Sequence, residues 1–183
     1  MIGIGQQLPE FELTMVKPGF NHPAENDESA FDTWTPESFQ GQWKVIYFYP
    51  KDFTFVCPTE IIAFAKMNEQ FQSANAVVIG GSTDNEFCKL AWRREHPGLS
   101  QLNHYSFADP CGKFTQSLGL LSSASVALRA TLIVDPNNCV RHISVNELDV
   151  GRNPQETLRT LQAIQSGGLT ACNWVPGEDL IEA

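Results

Sequence analysis

Residues 43–64 read WKVIYFYPKDFTFVCPTEIIAF, and the way this stretch changes period decides the fold. Trp43 to Tyr49 is an unbroken run of aromatic and β-branched residues around Lys44, closed by Pro50, which reads as a buried strand. From Pro58 the period becomes helical, with Ile61, Phe64, Ala65 and Phe71 along one face. Cys57 therefore stands at or just before the first turn of a helix. There the unsatisfied backbone N–H groups and the helix dipole favour a negative charge, so a thiol is biased towards the reactive thiolate. Thr54, three residues earlier, is close enough to hydrogen-bond the sulfur or an oxygen bound to it. Position alone leaves a second reading open: Cys is often just a small buried hydrophobe at such a junction.

Outward from this unit the strand and helix periods alternate. AVVIGG (76–81) reads as a strand and DNEFCKLAWRREH (84–96) as a helix ended by Pro97-Gly98. YSF (105–107) reads as a short strand, followed by a turn at Asp109-Pro110 and a helix over 112–118. ATLIV and the run after Asp135-Pro136-Asn137-Asn138 flank a hairpin turn. PQETLRTLQAIQS (154–166) is a final helix, with Pro154 at its first position and Gly167-Gly168 as its stop. This order predicts an α/β domain over 1–166, a central mixed sheet covered by helices on both faces. Residues 17–40 read as a long polar surface loop. Residues 167–183 read as a tail with too little apolar content to fold by itself.

Composition narrows the classes of function. The chain has 183 residues, 42% of them hydrophobic and 18% charged, with a formal net charge of −9. Twelve basic residues, the densest group being Arg93-Arg94, do not make a phosphate-binding surface, and that pair reads as a solvated helix face. No apolar run approaches the ~20 residues of a membrane span. The first residues carry no basic, apolar leader, so a cytoplasmic location is expected. The cysteines at 57, 88, 111, 139 and 172 form neither a Cys-x-x-Cys pair nor zinc-finger spacing. Cys88, between Phe87 and Leu90 on a helix, reads as core, Cys139 as structural, and the four tryptophans as core or interface residues.

The segment FYPKDFTFVCPTE resembles the Pro-x-x-x-Thr-x-x-Cys signature of peroxiredoxins, with Pro50, Thr54 and Cys57 on its three positions. The likeness continues in order through GGSTDNEF, SVALRATLIVDP with Arg129, VGRNPQETLR and the terminal ACNW, and so spans nearly the whole chain. The chain is similar to two-cysteine peroxiredoxins of the bacterial alkyl hydroperoxide reductase type, with a tail closest to the mycobacterial kind.

The resemblance implies a thioredoxin-like fold and a peroxidase for hydrogen peroxide and organic hydroperoxides, working without metal, haem or flavin. It implies that Cys57 attacks the peroxide and becomes a sulfenic acid. Arg129 then stabilises the moving charge, Thr54 orients the substrate and Pro50 shields the sulfenic acid. Glu60 and Arg152 take the positions of a polar network around that arginine; the alternative for Glu60 is a plain first-turn carboxylate. In the family a tail cysteine four residues before the tryptophan resolves the sulfenic acid. Here that position is Thr170, and Cys172, two before Trp174, is the resolving thiol expected instead. Cys111 is the runner-up, and a chain with no internal resolver stands as a third reading. By the same likeness the tail crosses to a second copy, with Trp174 as its anchor. The assembly is then a homodimer, built further into a ring. A lipoyl-linked thiol protein is favoured over a flavoprotein as reductant. The insertion and terminal helix that sensitise some relatives to over-oxidation have no counterpart here. A thiol–disulfide oxidoreductase lacks its second cysteine at position 54, and an oligomeric chaperone would need no resolving thiol.

Overall fold

A computed structural model of the chain describes residues 1–182. In chain order its elements are β1 (Leu13–Val16), β2 (Ala24–Glu25), β3 (Glu28–Ser29), β4 (Phe31–Trp34), β5 (Trp43–Phe48), α1 (Cys57–Ser73), β6 (Ala76–Ser82) and α2 (Glu86–Glu95). They continue with β7 (Tyr105–Ala108), α3 (Lys113–Ser117), β8 (Arg129–Val134), β9 (Val140–Asn146) and α4 (Pro154–Ser166). Seven strands form one sheet in the order β4-β1-β7-β6-β5-β8-β9. The pairs β5/β6 and β6/β7 are parallel; β5/β8, β8/β9, β1/β7 and β1/β4 are antiparallel.

The alternation of β5 distributes the core. Val45, Tyr47 and Tyr49 face α1 and α4, packing with Ile61, Phe64, Leu158 and Leu161. Ile46 and Phe48 face the other way, into a cluster with Met15, Trp34, Phe107 and Phe114. Both faces are covered, as the alternation of periods predicts. The element ends also obey local rules. Asn85 caps α2 by accepting from the Cys88 amide, Asn153 caps α4 by accepting from Gln155, and Gly167 ends α4 with a left-handed φ of 70°. Among the described residues no helix is long and apolar enough to cross a membrane.

Three expectations need correction. The stretch 17–40 is not simply a loop: β2 and β3 form a small hairpin within it, and β4 is the edge strand of the main sheet, its Trp34 1% exposed. Polar residues on one side of an edge strand hid that strand. Arg93 is not on a solvated face. It is buried and donates to the carbonyls of Lys17, Phe20 and His104 and to Ser106 Oγ, tying α2 to this segment and to β7, while Arg94 alone is exposed. Cys88 is half-buried rather than in the core, beside an exposed Phe87.

His104 is fully enclosed and shares a 2.6 Å hydrogen bond with the Tyr47 hydroxyl, while its Nδ1 has no partner. Burial first, and then the Arg93 charge, pull its pKa down to about 3. A histidine harder to protonate when folded makes the unfolded chain bind protons more tightly, so stability falls as pH drops below the ordinary histidine value. Between pH 7 and 5 this amounts to roughly 2 kcal/mol. Urea unfolding under reducing conditions at these two pH values should show that much less acid sensitivity in His104→Gln than in the wild type. Equal sensitivity would contradict the assignment.

Candidate active site

The site is assembled where β5 ends and α1 begins, roofed by the first residues of β8 and by the segment leading into α4. Cys57 is the first residue of α1 and is 1% exposed. The preceding Val56 contributes no side-chain cap, and Pro58 has no N–H, so no protein acceptor side chain competes for that end of the helix.

Two guanidiniums and one carboxylate lie behind the sulfur. Arg129, at the start of β8, donates from Nη1 to Cys57 Sγ at 3.4 Å and to Glu60 Oε2 at 2.6 Å, and from Nε to the Leu148 carbonyl. Its Nη2 makes no hydrogen bond among the described residues. Arg152 grips both oxygens of the same carboxylate: Nε meets Oε1 at 2.9 Å and Nη2 meets Oε2 at 3.0 Å, and the Arg152 amide adds a bond to Oε1. Arg152 Nη1 reaches back to the Ala130 carbonyl at 2.6 Å, the residue next to Arg129. The side chains of Glu60, Arg129 and Arg152 are all within 5% of complete burial. Glu60 is therefore no plain first-turn carboxylate at the surface; it points inward between two arginines.

The loop before Cys57 is held from a different direction. Pro50 is half-buried, and the Thr54 hydroxyl donates to the Lys51 carbonyl at 2.9 Å. Phe53 adopts a positive φ of 56° and stacks on Trp92. Asp52 is buried with Lys89, whose ammonium also reaches Ser82 Oγ and the Tyr49 hydroxyl, and the Asp52 amide donates to Asp84. None of this second network was read from the sequence. Nothing adjacent to Asp52 or Lys89 in the chain signals their pairing, which joins residues 37 positions apart.

Cys172 and Cys111 are both exposed, and all five cysteines are free thiols. Cys172 lines a cleft of about 540 Å³ between α4 and the tail, with Arg159, Thr160 and Ile164. The tail lies on its own chain: Trp174 is 5% exposed, its indole donates to the Glu178 carbonyl, and its own carbonyl accepts from Arg159. Trp174, read as an anchor on a second copy, is already buried on its own chain, held by the turn at Val175–Glu178 and by Arg159. Cys111 lies in the Asp109-Pro110 turn, on a separate cleft with Lys113. The thiol of Cys88 is pushed up to about 11 by burial and then by the nearby Asp52 and Asp84 carboxylates. At pH 8, iodoacetamide should modify Cys111 and Cys172 well before Cys88, which stays nearly untouched, as peptide mass mapping would show. Early labelling of Cys88 would contradict this electrostatic picture.

The profile of the AhpC/TSA family matches residues 4–143. Alkyl hydroperoxide reductase C of Mycolicibacterium smegmatis is 45% identical over 185 residues, covering 100% of this chain and 95% of that protein. The solved structure of Mycobacterium tuberculosis AhpC superposes with a TM-score of 0.87 at 41% identity, covering 95% of this chain and 99% of that one. That of reduced Plasmodium vivax 2-Cys peroxiredoxin gives a TM-score of 0.88 at 32% identity, covering 98% and 93%.

Proposed function

The chain belongs to the AhpC/TSA family, and from that membership we propose that it is a thiol peroxidase in which Cys57 reduces hydrogen peroxide and organic hydroperoxides. The observation that carries the reading is the 3.4 Å contact from the buried Arg129 guanidinium to Cys57 Sγ. Two guanidiniums and one carboxylate leave the enclosed cluster with one surplus positive charge, which an anionic sulfur cancels. Desolvation opposes that anion, and the helix dipole alone returns only ~0.3–1 kcal/mol, up to about 2 when partly buried. The direct contact from Arg129 gives the sulfur a cationic hydrogen-bond donor that the helix start alone does not supply.

In the reaction the thiolate lone pair attacks one peroxide oxygen and the O–O bond breaks. The leaving oxygen takes a proton and departs as water or an alcohol, and Cys57 is oxidised to the sulfenic acid. Negative charge passes from sulfur to the departing oxygen beside the Arg129 guanidinium, which stabilises it. Thr54 orients the peroxide, Pro50 shields the sulfenic acid, and Glu60 and Arg152 hold Arg129 in place.

Cys172 then displaces the hydroxyl of the sulfenic acid as water, forming a disulfide. Because Cys57 is enclosed and Cys172 exposed, the loop over 50–56 must open for the two sulfurs to meet. The likeness in the tail favours Cys172 of a second copy, in a homodimer built into a ring. The disulfide is reopened by a dithiol partner, a lipoyl-linked thiol protein before a flavoprotein. The tail over 167–183 serves as the carrier of the resolving thiol, the domain over 1–166 as the peroxidase, and the cytoplasm as their location.

Peroxide consumption should vanish in Cys57→Ser. Oxidised wild type should run as a dimer on a non-reducing denaturing gel, and oxidised Cys172→Ser as a monomer with Cys57 as sulfenic acid, trapped by dimedone. Rapid peroxide consumption by Cys57→Ser removes the nucleophile from this reading. A monomeric wild type with a Cys57–Cys111 link transfers resolution to Cys111.

A further inference from the structure

One aromatic ring in the core stands beside the charged cluster without belonging to it. Tyr47, on β5, is 1% exposed, and the Arg152 guanidinium carbon lies over its ring at 5.3 Å from the centroid. That is within the range at which a cation is attracted to an aromatic face. Phe64 of α1 stacks on the ring at 4.2 Å with an interplanar angle of 6°, and His104 holds the hydroxyl at 2.6 Å. Both neighbours across the sheet accommodate this placement. On one side Tyr47 pairs with Gly80, where an added Cβ would fall 2.1 Å from the Tyr47 Cζ. On the other it pairs with Thr131, whose hydroxyl meets Arg152 Nη1 at 3.4 Å. The ring is thus held at its tip, on a face and along its strand, with an arginine resting on it.

We infer that Tyr47 is a positioning residue for the Cys57 reaction: its ring is the floor under the Arg152 guanidinium, and through Arg152 and Glu60 it sets where Arg129 meets the sulfur. The connection is short. Arg152 makes three of the four hydrogen bonds to the Glu60 carboxylate, and the fourth comes from the Arg129 nitrogen that also touches Sγ. A guanidinium in an enclosed site has no water to replace a lost partner, so the attraction of the ring face counts for more there than at the surface. His104 keeps the ring from sliding along the sheet and carries no charge at neutral pH.

The inference rests on Cys57 being the peroxide-reactive thiol, and its test reads that sulfur by alkylation as well as by peroxide, so that the two can fail separately. A buried tyrosine that merely fills space would be indifferent to the charge on its face. Tyr47→Phe and a series at position 47 bearing phenylalanine with one, two and three ring fluorines keep the shape while draining the face of negative potential. The readouts are the pH midpoint of Cys57 alkylation by iodoacetamide and the rate of Cys57 oxidation by hydrogen peroxide. Tyr47→Phe should oxidise within about threefold of the wild type, and the trifluorinated variant should be slower than Tyr47→Phe by roughly three- to tenfold. The alkylation midpoint should rise in step with the number of fluorines. A flat series in both readouts overturns the inference. Alkylation that follows fluorination in a protein inert to peroxide would uphold the positioning role and sink the proposed peroxidase.

Discussion

Glu60 brings a carboxylate into a space nearly closed to water, where a charge left unpaired by loss of its partner costs about 3–5 kcal/mol. All four of its hydrogen bonds come from Arg129 and Arg152. Those two arginines are far from Glu60 in sequence and come from different elements, so the bridge fastens α1 to β8 and to the approach to α4. It also leaves each guanidinium only one place to be. Arg129 is pinned between Leu148, Glu60 and the Cys57 sulfur, and a planar fork held on three sides presents its donors in fixed directions. The position of the sulfur at the helix start matters, but it is the carboxylate that makes a nearby arginine into a directed one.

The loop before Cys57 obeys a different constraint. It must enclose the thiol, yet the enclosure has to be reversible if a second thiol is to reach it. The fastenings are few and mostly polar: the Asp52 carboxylate on Lys89, the Asp52 amide on Asp84, the Thr54 hydroxyl on the Lys51 carbonyl, and the Phe53 ring on Trp92. Phe55 between them is 95% exposed and contributes no burial within the chain. Such a loop, with little apolar area of its own to bury, is the kind of segment from which locally opening parts of a rigid fold are drawn. The rigid part of the site and the part that must move are therefore separate networks, one behind the sulfur and one in front of it.

Much of this was legible in the sequence because period and spacing are local properties. The change from a buried strand at Trp43–Phe48 to a helix at Cys57, the Asp135–Asn138 turn, and the Pro154 start and Gly167 stop of α4 are each set by a few adjacent residues. Cys57 and Thr54 were read from their place at the helix start, and Pro50, Glu60, Arg129 and Arg152 from a resemblance. The fold links Cys57, Glu60, Arg129 and Arg152 by direct contacts. What escaped was everything that depends on partners distant in the chain. β4 looked polar because an edge strand shows one side to water. Arg93 looked solvated because its four acceptors are contributed by Lys17, Phe20, His104 and Ser106. Lys89 and Tyr47 gave no sign of their roles, since nothing near them in sequence reveals an aspartate 37 residues away or a guanidinium across the sheet.

The claim that Glu60 directs Arg129 onto the sulfur can be separated from a purely electrostatic role of the same carboxylate. Removing its charge would by itself favour an anionic sulfur, whereas removing its hold would let Arg129 leave. The measurement is the stopped-flow rate of Cys57 oxidation by hydrogen peroxide in Glu60→Gln, at neutral pH and again at a pH high enough to ionise any free thiol. The account predicts a fall of at least ~10-fold at both, about 1.4 kcal/mol of barrier. A rate that is unchanged or faster at either pH would contradict it.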